Sequence, residues 1–229
     1  RRFNPATRIL KDAIKDKRFG EVNMADAYIK WWRSQDYYDS GDWRGTWNLD
    51  GGGALMNQSI HTIDLLLYLM GPIKNVRAET RLRGHTAIEV EDTAVALCEF
   101  EGGALGVIQG STASWSKTGH SAEIQITGSR GSVFMADDYF KVWEFDDETE
   151  ADDIIRKEFM DQSNRGGAGA ADPSAIDFSW HARNYEDIVA AIVNKGKPKI
   201  TGEEARRAVA LIAAIYESAA SGGKRVEVS

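Results

Sequence analysis

Apolar residues along this chain recur first at helical spacing, then mostly at strand spacing, then at helical spacing again. Phe3, Ile9, Leu10, Ala13 and Ile14 share one helical face. They predict a helix from Pro5 to about Arg18, with the proline in its first turn and Phe19 and Gly20 at its end. Over residues 22–32 the period drops to two, and Ala25, Ala27, Ile29 and Trp31 alternate onto one face. Further on, Val76, Ala78, Thr80 and Leu82 alternate with Arg77, Glu79, Arg81 and Arg83, so that strand has one wet face. Residues 90–100 are apolar on both faces over much of their length, the pattern of a central strand. Glu101, Gly102 and Gly103 predict a hairpin turn into a strand over 104–115. Segments 122–127, 132–135 and 140–145 continue the meander, with turns at 128–131 and 137–138. The total is about seven sequential, mostly antiparallel strands. Residues 146–179 are acidic and then rich in Gly and Ala; they read as a mobile loop, with at most a short turn or strand near Ile154. Helical spacing returns over 180–194 (Tyr185, Ile188, Val189, Ile192) and 202–220 (Ala205, Ala208, Val209, Ile212, Ile215, Tyr216, Ala219). Thr201 is the expected cap of the second, with Glu203 and Glu204 in its first turn. Residues 225–228 form a short last strand. The expected class is α+β: a large, mainly antiparallel open sheet with helices on one face. Its other face needs a partner, which predicts a homo-oligomer.

One stretch organises the rest. Residues 50–72 predict a single helix with both ends marked: Asp50 can cap the start, and Gly71 followed by Pro72 marks the stop. Leu55, Met56, Ile60, Ile63, Leu65, Leu66, Leu67, Leu69 and Met70 make it apolar nearly all round, as a buried helix is. Yet Asn57, His61 and Asp64 stand four and three residues apart and so share a face. A polar row on a buried helix is costly unless partners satisfy it, and it suggests a cavity wall. Gly51, Gly52 and Gly53 allow another backbone or a ligand to approach, and a helix start with free N–H groups suits an anion or polar ligand. The plainer alternative stands beside this: a flexible turn before a core helix whose His and Asp bond neighbouring backbone.

The preceding residues, 33–47, form a long loop rich in aromatics, charge and glycine. Tyr37, Tyr38, Trp43 and Trp47 offer faces for a sugar ring or nicotinamide, and Arg33 and Arg44 offer forked donors for hydroxyls, carboxylate or phosphate. An aromatic-stabilised Ω-loop over the sheet edge is the other reading; the loop's run into the three glycines favours ligand contact.

Composition narrows the classes. The chain has 229 residues, 42% of them hydrophobic, enough for one large core. A formal net charge of −7 with acid and base well mixed argues against a nucleic-acid binder. Mean hydropathy is −0.40, and the longest apolar run, 65–70, is far too short to span a membrane. The lone Cys98 lies in an apolar run, reads as a small core residue and excludes an internal disulfide; a cytoplasmic location is consistent with it. His61, His85, His120 and His181 are scattered without ligand spacing, so no metal site is expected. No Gly-x-Gly-x-x-Gly follows a strand, and the Gly and Ala run at 166–171 lacks the preceding strand and the later acid of a dinucleotide fingerprint.

The run Gly-Gly-Gly-Ala-Leu-Met-Asn-Gln-Ser-Ile-His-Thr-Ile-Asp-Leu-Leu over 51–66, followed by Leu69, Met70 and Gly71, resembles the signature helix of the glucose–fructose oxidoreductase, inositol dehydrogenase and rhizopine-catabolism family. The resemblance covers nearly the whole chain, from Arg2 to the last strand, and implies that residues 1–229 are one C-terminal, substrate-binding and oligomerisation domain. The family's N-terminal nucleotide-binding domain, with its Glu-Lys-Pro lysine, is expected to lie outside this chain. By that resemblance the parent is an NAD- or NADP-dependent dehydrogenase that oxidises a secondary hydroxyl of a sugar, polyol or sugar nucleotide. The cofactor is bound mainly by the other domain, so the isolated chain is expected to turn over nothing. His61 matches the family's catalytic histidine, and an imidazole suits the task of taking the hydroxyl proton. Asn57 stands where many members have aspartate; an amide is no base but can hold a substrate hydroxyl, and Asn here marks sugar-nucleotide-oxidising branches. Asp64 would orient His61, bind substrate, or serve a structural bond. Arg33, Tyr38, Trp43, Arg44 and Trp47 complete the expected substrate set. A non-catalytic sugar sensor or scaffold and an NAD-using glycosidase are the alternatives within the fold.

Overall fold

Asn4 sets the start of the first helix: its side chain accepts the Ala6 N–H at 2.8 Å, and Pro5 takes the first helical position, where a missing N–H costs nothing. That helix, α1, spans Pro5–Lys15 and is followed by β1 (Val22–Lys30), α2 (Gln35–Asp39), a π-helical turn (Ala54–Ser59), α3 (Ile60–Met70), β2 (Ile73–Arg81), β3 (Thr93–Phe100), β4 (Leu105–Ser111), β5 (Glu123–Gly128), β6 (Gly131–Ala136), β7 (Tyr139–Phe145), α4 (Glu150–Phe159), α5 (Ser179–Val193), α6 (Gly202–Ala220) and β8 (Val226–Glu227). The computed structural model describes residues 1–160 and 179–229.

The strands form one sheet in the order β7-β6-β5-β1-β4-β3-β2-β8. It is an α+β fold on a mixed open sheet: β1 and β4 run parallel, and every other neighbouring pair is antiparallel. Two meanders, β2-β3-β4 and β5-β6-β7, are thus joined through β1, which arrives earlier in the chain and is inserted between them. The alternation read in β1 holds, with Ala25, Ala27, Ile29 and then Trp31 all buried. This inner face packs on α1, α3 and α6, where Leu10, Ile63, Leu66, Leu211, Ile212 and Ile215 meet Ile108, Phe100, Val76 and Cys98 in one core. Each such large side chain contributes about 1.5–3 kcal/mol of transfer free energy. Burial also pushes the Cys98 thiol up to about 12, leaving it a protonated core group.

Several boundaries differ from expectation. α1 stops at Lys15 because Lys17 turns left-handed (φ 58°), and Arg18 then reaches Asp147 and Asp152. β1 stops at Lys30; Trp32 pairs only through an isolated bridge to Ala113. β3 does not have both faces covered: Leu97 on its outer side is 58% exposed, so the doubly apolar pattern marks an open face rather than a sandwiched strand. The loop expected from Asp146 contains a helix, α4, opened by a capping box of Thr149 and Asp152. Asp152 is fully buried, accepting Trp143 Nε1–H and pairing with Arg18 at 2.7 Å each; burial alone would raise its carboxyl, but these donors outweigh it and hold it very low. The rest of that expected loop, 161–178, lies outside the described residues. Thr201 caps α6 as expected, accepting the Glu204 N–H. The apolar face of α5 is not covered, and Ile192 is 72% exposed. Among the described residues no helix is long and apolar enough to cross a membrane.

Candidate active site

The signature stretch folds as two segments, not one helix. Gly53 precedes a six-residue π turn, which passes into α3 at Ile60. A π turn carries one more residue than an α turn and tends to occur where a helix must re-aim side chains. Space is part of the reason. A Cβ on Gly53 would stand 1.8 Å from the Glu91 carbonyl oxygen, and one on Gly110 of β4 would stand 2.8 Å from Leu55 and Ser59. The turn therefore lies directly on the sheet and on the 91–92 segment.

The free N–H groups expected at this helix start are already filled. Glu91 accepts from Gly53 N at 3.0 Å, from Leu55 N at 2.9 Å and from the Tyr216 hydroxyl at 3.0 Å, while its carbonyl takes Ala54 N. Burial raises the Glu91 carboxyl above its ordinary value, against the pull of those donors. Asp50 does not cap the helix either: it accepts from Gly45 N at 2.9 Å and from Asn57 Nδ2 at 2.6 Å, tying the loop to the turn.

The sequence-predicted residues fall into two groups. Asn57, Arg33 and Arg44 come together through contacts that sequence reading did not foresee. Gln58 donates to Asn57 Oδ1 at 2.5 Å and to the Tyr37 hydroxyl at 3.0 Å, and accepts from Arg33 Nη2 at 2.8 Å. Arg44 lies over Tyr37 (4.2 Å to the ring centroid) and over Trp43 (4.7 Å). The remaining members serve the fold. Tyr38 is buried, not open to solvent, and bonded to Thr112 Oγ1 at 2.8 Å, its hydroxyl pushed up to about 12 by burial. It packs edge-on against His85, whose Nδ1 faces Asp92 at 3.0 Å and whose Nε2 faces the Arg33 carbonyl at 2.9 Å. Trp47 stays exposed, but its indole N–H goes to the Glu89 carbonyl and it packs edge-on against Tyr216. Asp64 does not touch His61: Arg2 grips both its oxygens, at 2.6 and 2.9 Å, and also reaches Glu204.

His61 stands on α3 with its side chain exposed to solvent, yet enough protein lies around it to desolvate the ring. Among the described residues no hydrogen bond holds its ring. Desolvation by these surroundings lowers its pKa, and the positive charge of Arg1 adds to that; Asp64 pulls the other way more weakly. The ring is thus a neutral imidazole at neutral pH, open to a ligand. His181, on α5, is near enough to act on its charge. Of the residues missed by sequence reading, Gln58, Glu91, Asp92 and Tyr216, the two acids gave a visible signal: they are adjacent and stand directly before the apolar strand over 93–100, and acids buried there need donors waiting for them.

The description of the GFO/IDH/MocA C-terminal domain matches residues 7–134. The chain belongs to that family. Among relatives, it is 24% identical over 176 residues to a D-apiose dehydrogenase of Rhizobium rhizogenes, covering 71% of this chain and 45% of that protein. It is 30% identical over 139 residues to the NAD(+)-dependent scyllo-inositol 2-dehydrogenase of Bacillus subtilis, covering 59% and 38%. The WlbA dehydrogenase of Bordetella pertussis, solved in complex with NADH and UDP-GlcNAcA, superposes with a TM-score of 0.85 at 32% identity, over 100% of this chain and 62% of that one. The chain therefore spans under half the length of these curated relatives and about six-tenths of that solved relative.

Proposed function

We propose that this family member is the substrate domain of an NAD(P)-dependent dehydrogenase that oxidises a secondary hydroxyl of a sugar, polyol or sugar nucleotide. The observation that carries the reading is His61: a solvent-exposed, unbonded imidazole that its surroundings keep neutral, four residues after Asn57 in the family's signature stretch. Its ring nitrogen is free to take the hydroxyl proton, and the lowered pKa keeps it in the form that accepts one. Asn57, held between Asp50 and Gln58, presents an amide whose position is fixed on both sides. It orients the alcohol without competing for the proton. Hydride acceptance is the chemistry a nicotinamide supplies when bound. The residues fit that division of labour. His61 is open to a partner, while Glu91 already takes the N–H groups of Gly53, Ala54 and Leu55 at the helix start, which supports a parent that holds the dinucleotide mainly in a separate domain.

The relatives' names support the substrate class: D-apiose, scyllo-inositol and, in the solved complex, a sugar nucleotide. The 32% identity to the last favours the sugar-nucleotide end. The uncovered outer sheet face supports pairing with a second copy of the chain. The test is His61→Ala in the parent that carries the dinucleotide-binding domain. Hydride transfer should fall by at least 10²-fold, the usual scale for losing a general base, while nicotinamide still binds. Full activity in that variant would sink the assignment.

A further inference from the structure

The loop contains a cation without a counter-ion. Among the described residues Arg44 forms no ion pair and no side-chain hydrogen bond, and its Nε is buried with no acceptor. Buried polar atoms nearly always have partners, so a donor left open at a site points to a ligand that supplies the acceptor. The guanidinium is not mobile in compensation. Tyr37 and Trp43 both lie against it, its backbone N–H is bonded to the Gly41 carbonyl, and the next residue, Gly45, is fixed by Asp50. Of the loop's carboxylates, Asp50 is engaged with Gly45 and Asn57 and Asp39 with Gln35, while Asp42 is exposed and makes no ion pair with Arg44. A second guanidinium, Arg33, stands 5.5 Å from the same Tyr37 ring and adds positive potential. The Tyr37 hydroxyl is bonded to Gln58, so the cation is coupled through one side chain to Asn57 and the turn that leads to His61.

We propose that the substrate carries an anionic group, carboxylate or phosphate, and that Arg44 is the residue that selects it. This rests on the reading that the site binds a sugar and narrows it to an acidic sugar or a sugar phosphate ester. A planar guanidinium packed against two rings has few orientations open to it, and its fork suits the paired oxygens of either anion. Neutral polyols would use the Asn57 end of the site and gain nothing from Arg44.

The test is calorimetric titration of the 229-residue chain at low salt with four probes: glucuronate, glucose, uridine diphosphate and inorganic phosphate. At least one anionic probe should bind roughly 10-fold or more tightly than glucose, weakening as salt is raised. Tighter glucuronate assigns the carboxylate; tighter uridine diphosphate or phosphate assigns the phosphoryl group. Arg44→Gln should abolish the preference and leave the chain folded, since only its contacts with the Tyr37 and Trp43 rings are lost and no side-chain hydrogen bond or ion pair is broken. Arg44→Lys should keep part of it, because charge remains but the fork is lost. Equal binding of glucose and both kinds of anion, an anion preference that survives Arg44→Gln, or no anion binding at millimolar concentration would each overturn the proposal. The two readings fail separately: the anion preference is read by binding alone, without turnover, whereas the dehydrogenase reading is decided by hydride transfer in the parent's His61→Ala variant.

Discussion

At the scale of single residues, the charge state of His61 decides what the site can do. Its surroundings desolvate it and Arg1 repels its cation, so its pKa lies below the ordinary 6.5. The sign follows from linkage: a histidine depressed in the folded state binds fewer protons there than in the unfolded chain. Its contribution to stability is fully present above the unfolded value and is lost as pH falls from there through the folded value. Oxidation by the parent should likewise keep its rate down to below pH 6.5 and then decline as the ring is protonated. A proton NMR titration of the His61 ring checks this, and a midpoint at or above 6.5 would contradict it. His61 was singled out in the sequence by its type and its spacing from Asn57, which are local. The role of Asp64 was not legible there, because its partner Arg2 lies 62 positions earlier and meets it only in the fold.

At the scale of elements, the π turn depends on one buried acid. Glu91 accepts two backbone N–H groups and a tyrosine hydroxyl from two other elements, and each would be left buried without it. Glu91→Ala should destabilise the chain by about 3 kcal/mol in urea denaturation, the order expected when buried donors lose a charged acceptor. Glu91→Gln should cost less, since the amide keeps one acceptor and carries no charge for burial to penalise. Equal, near-zero losses for both would mean that the turn holds itself. A helix over 50–70 was readable from its apolar residues, but its division at Ile60 was not, because steric contact with Glu91 and Gly110 imposes it. The short helix α4 was readable in principle, since Thr149 and Asp152 spell a capping box; the acidic composition around it obscured the signal.

At the scale of the whole molecule, the outer sheet face is the unfinished surface. Leu97 and Leu105 are each 58% exposed, and the register sets Leu97 opposite Val107 and Leu105 beside Met24, so the apolar side chains adjoin across three strands. Soluble monomers seldom leave such a patch bare. Sedimentation should find the chain at a multiple of 25.3 kDa, and the pair Leu97→Asp with Leu105→Asp should return it to 25.3 kDa with the fold retained. A wild-type chain that stays at 25.3 kDa across concentration would refute pairing through this face.

The sequence by itself determined the class of the fold, most of the strands, the apolar inner face and the spacing of Asn57 and His61, because these depend on period and residue type, which are local. Only the tertiary structure decided the placing of β1 between two meanders, the filling of the glycine-rich helix start by Glu91, the withdrawal of Tyr38 into the core and the isolation of Arg44. Each of those depends on which distant backbone or side chain arrives within hydrogen-bond reach, and that distance is set when the sheet closes around the helices.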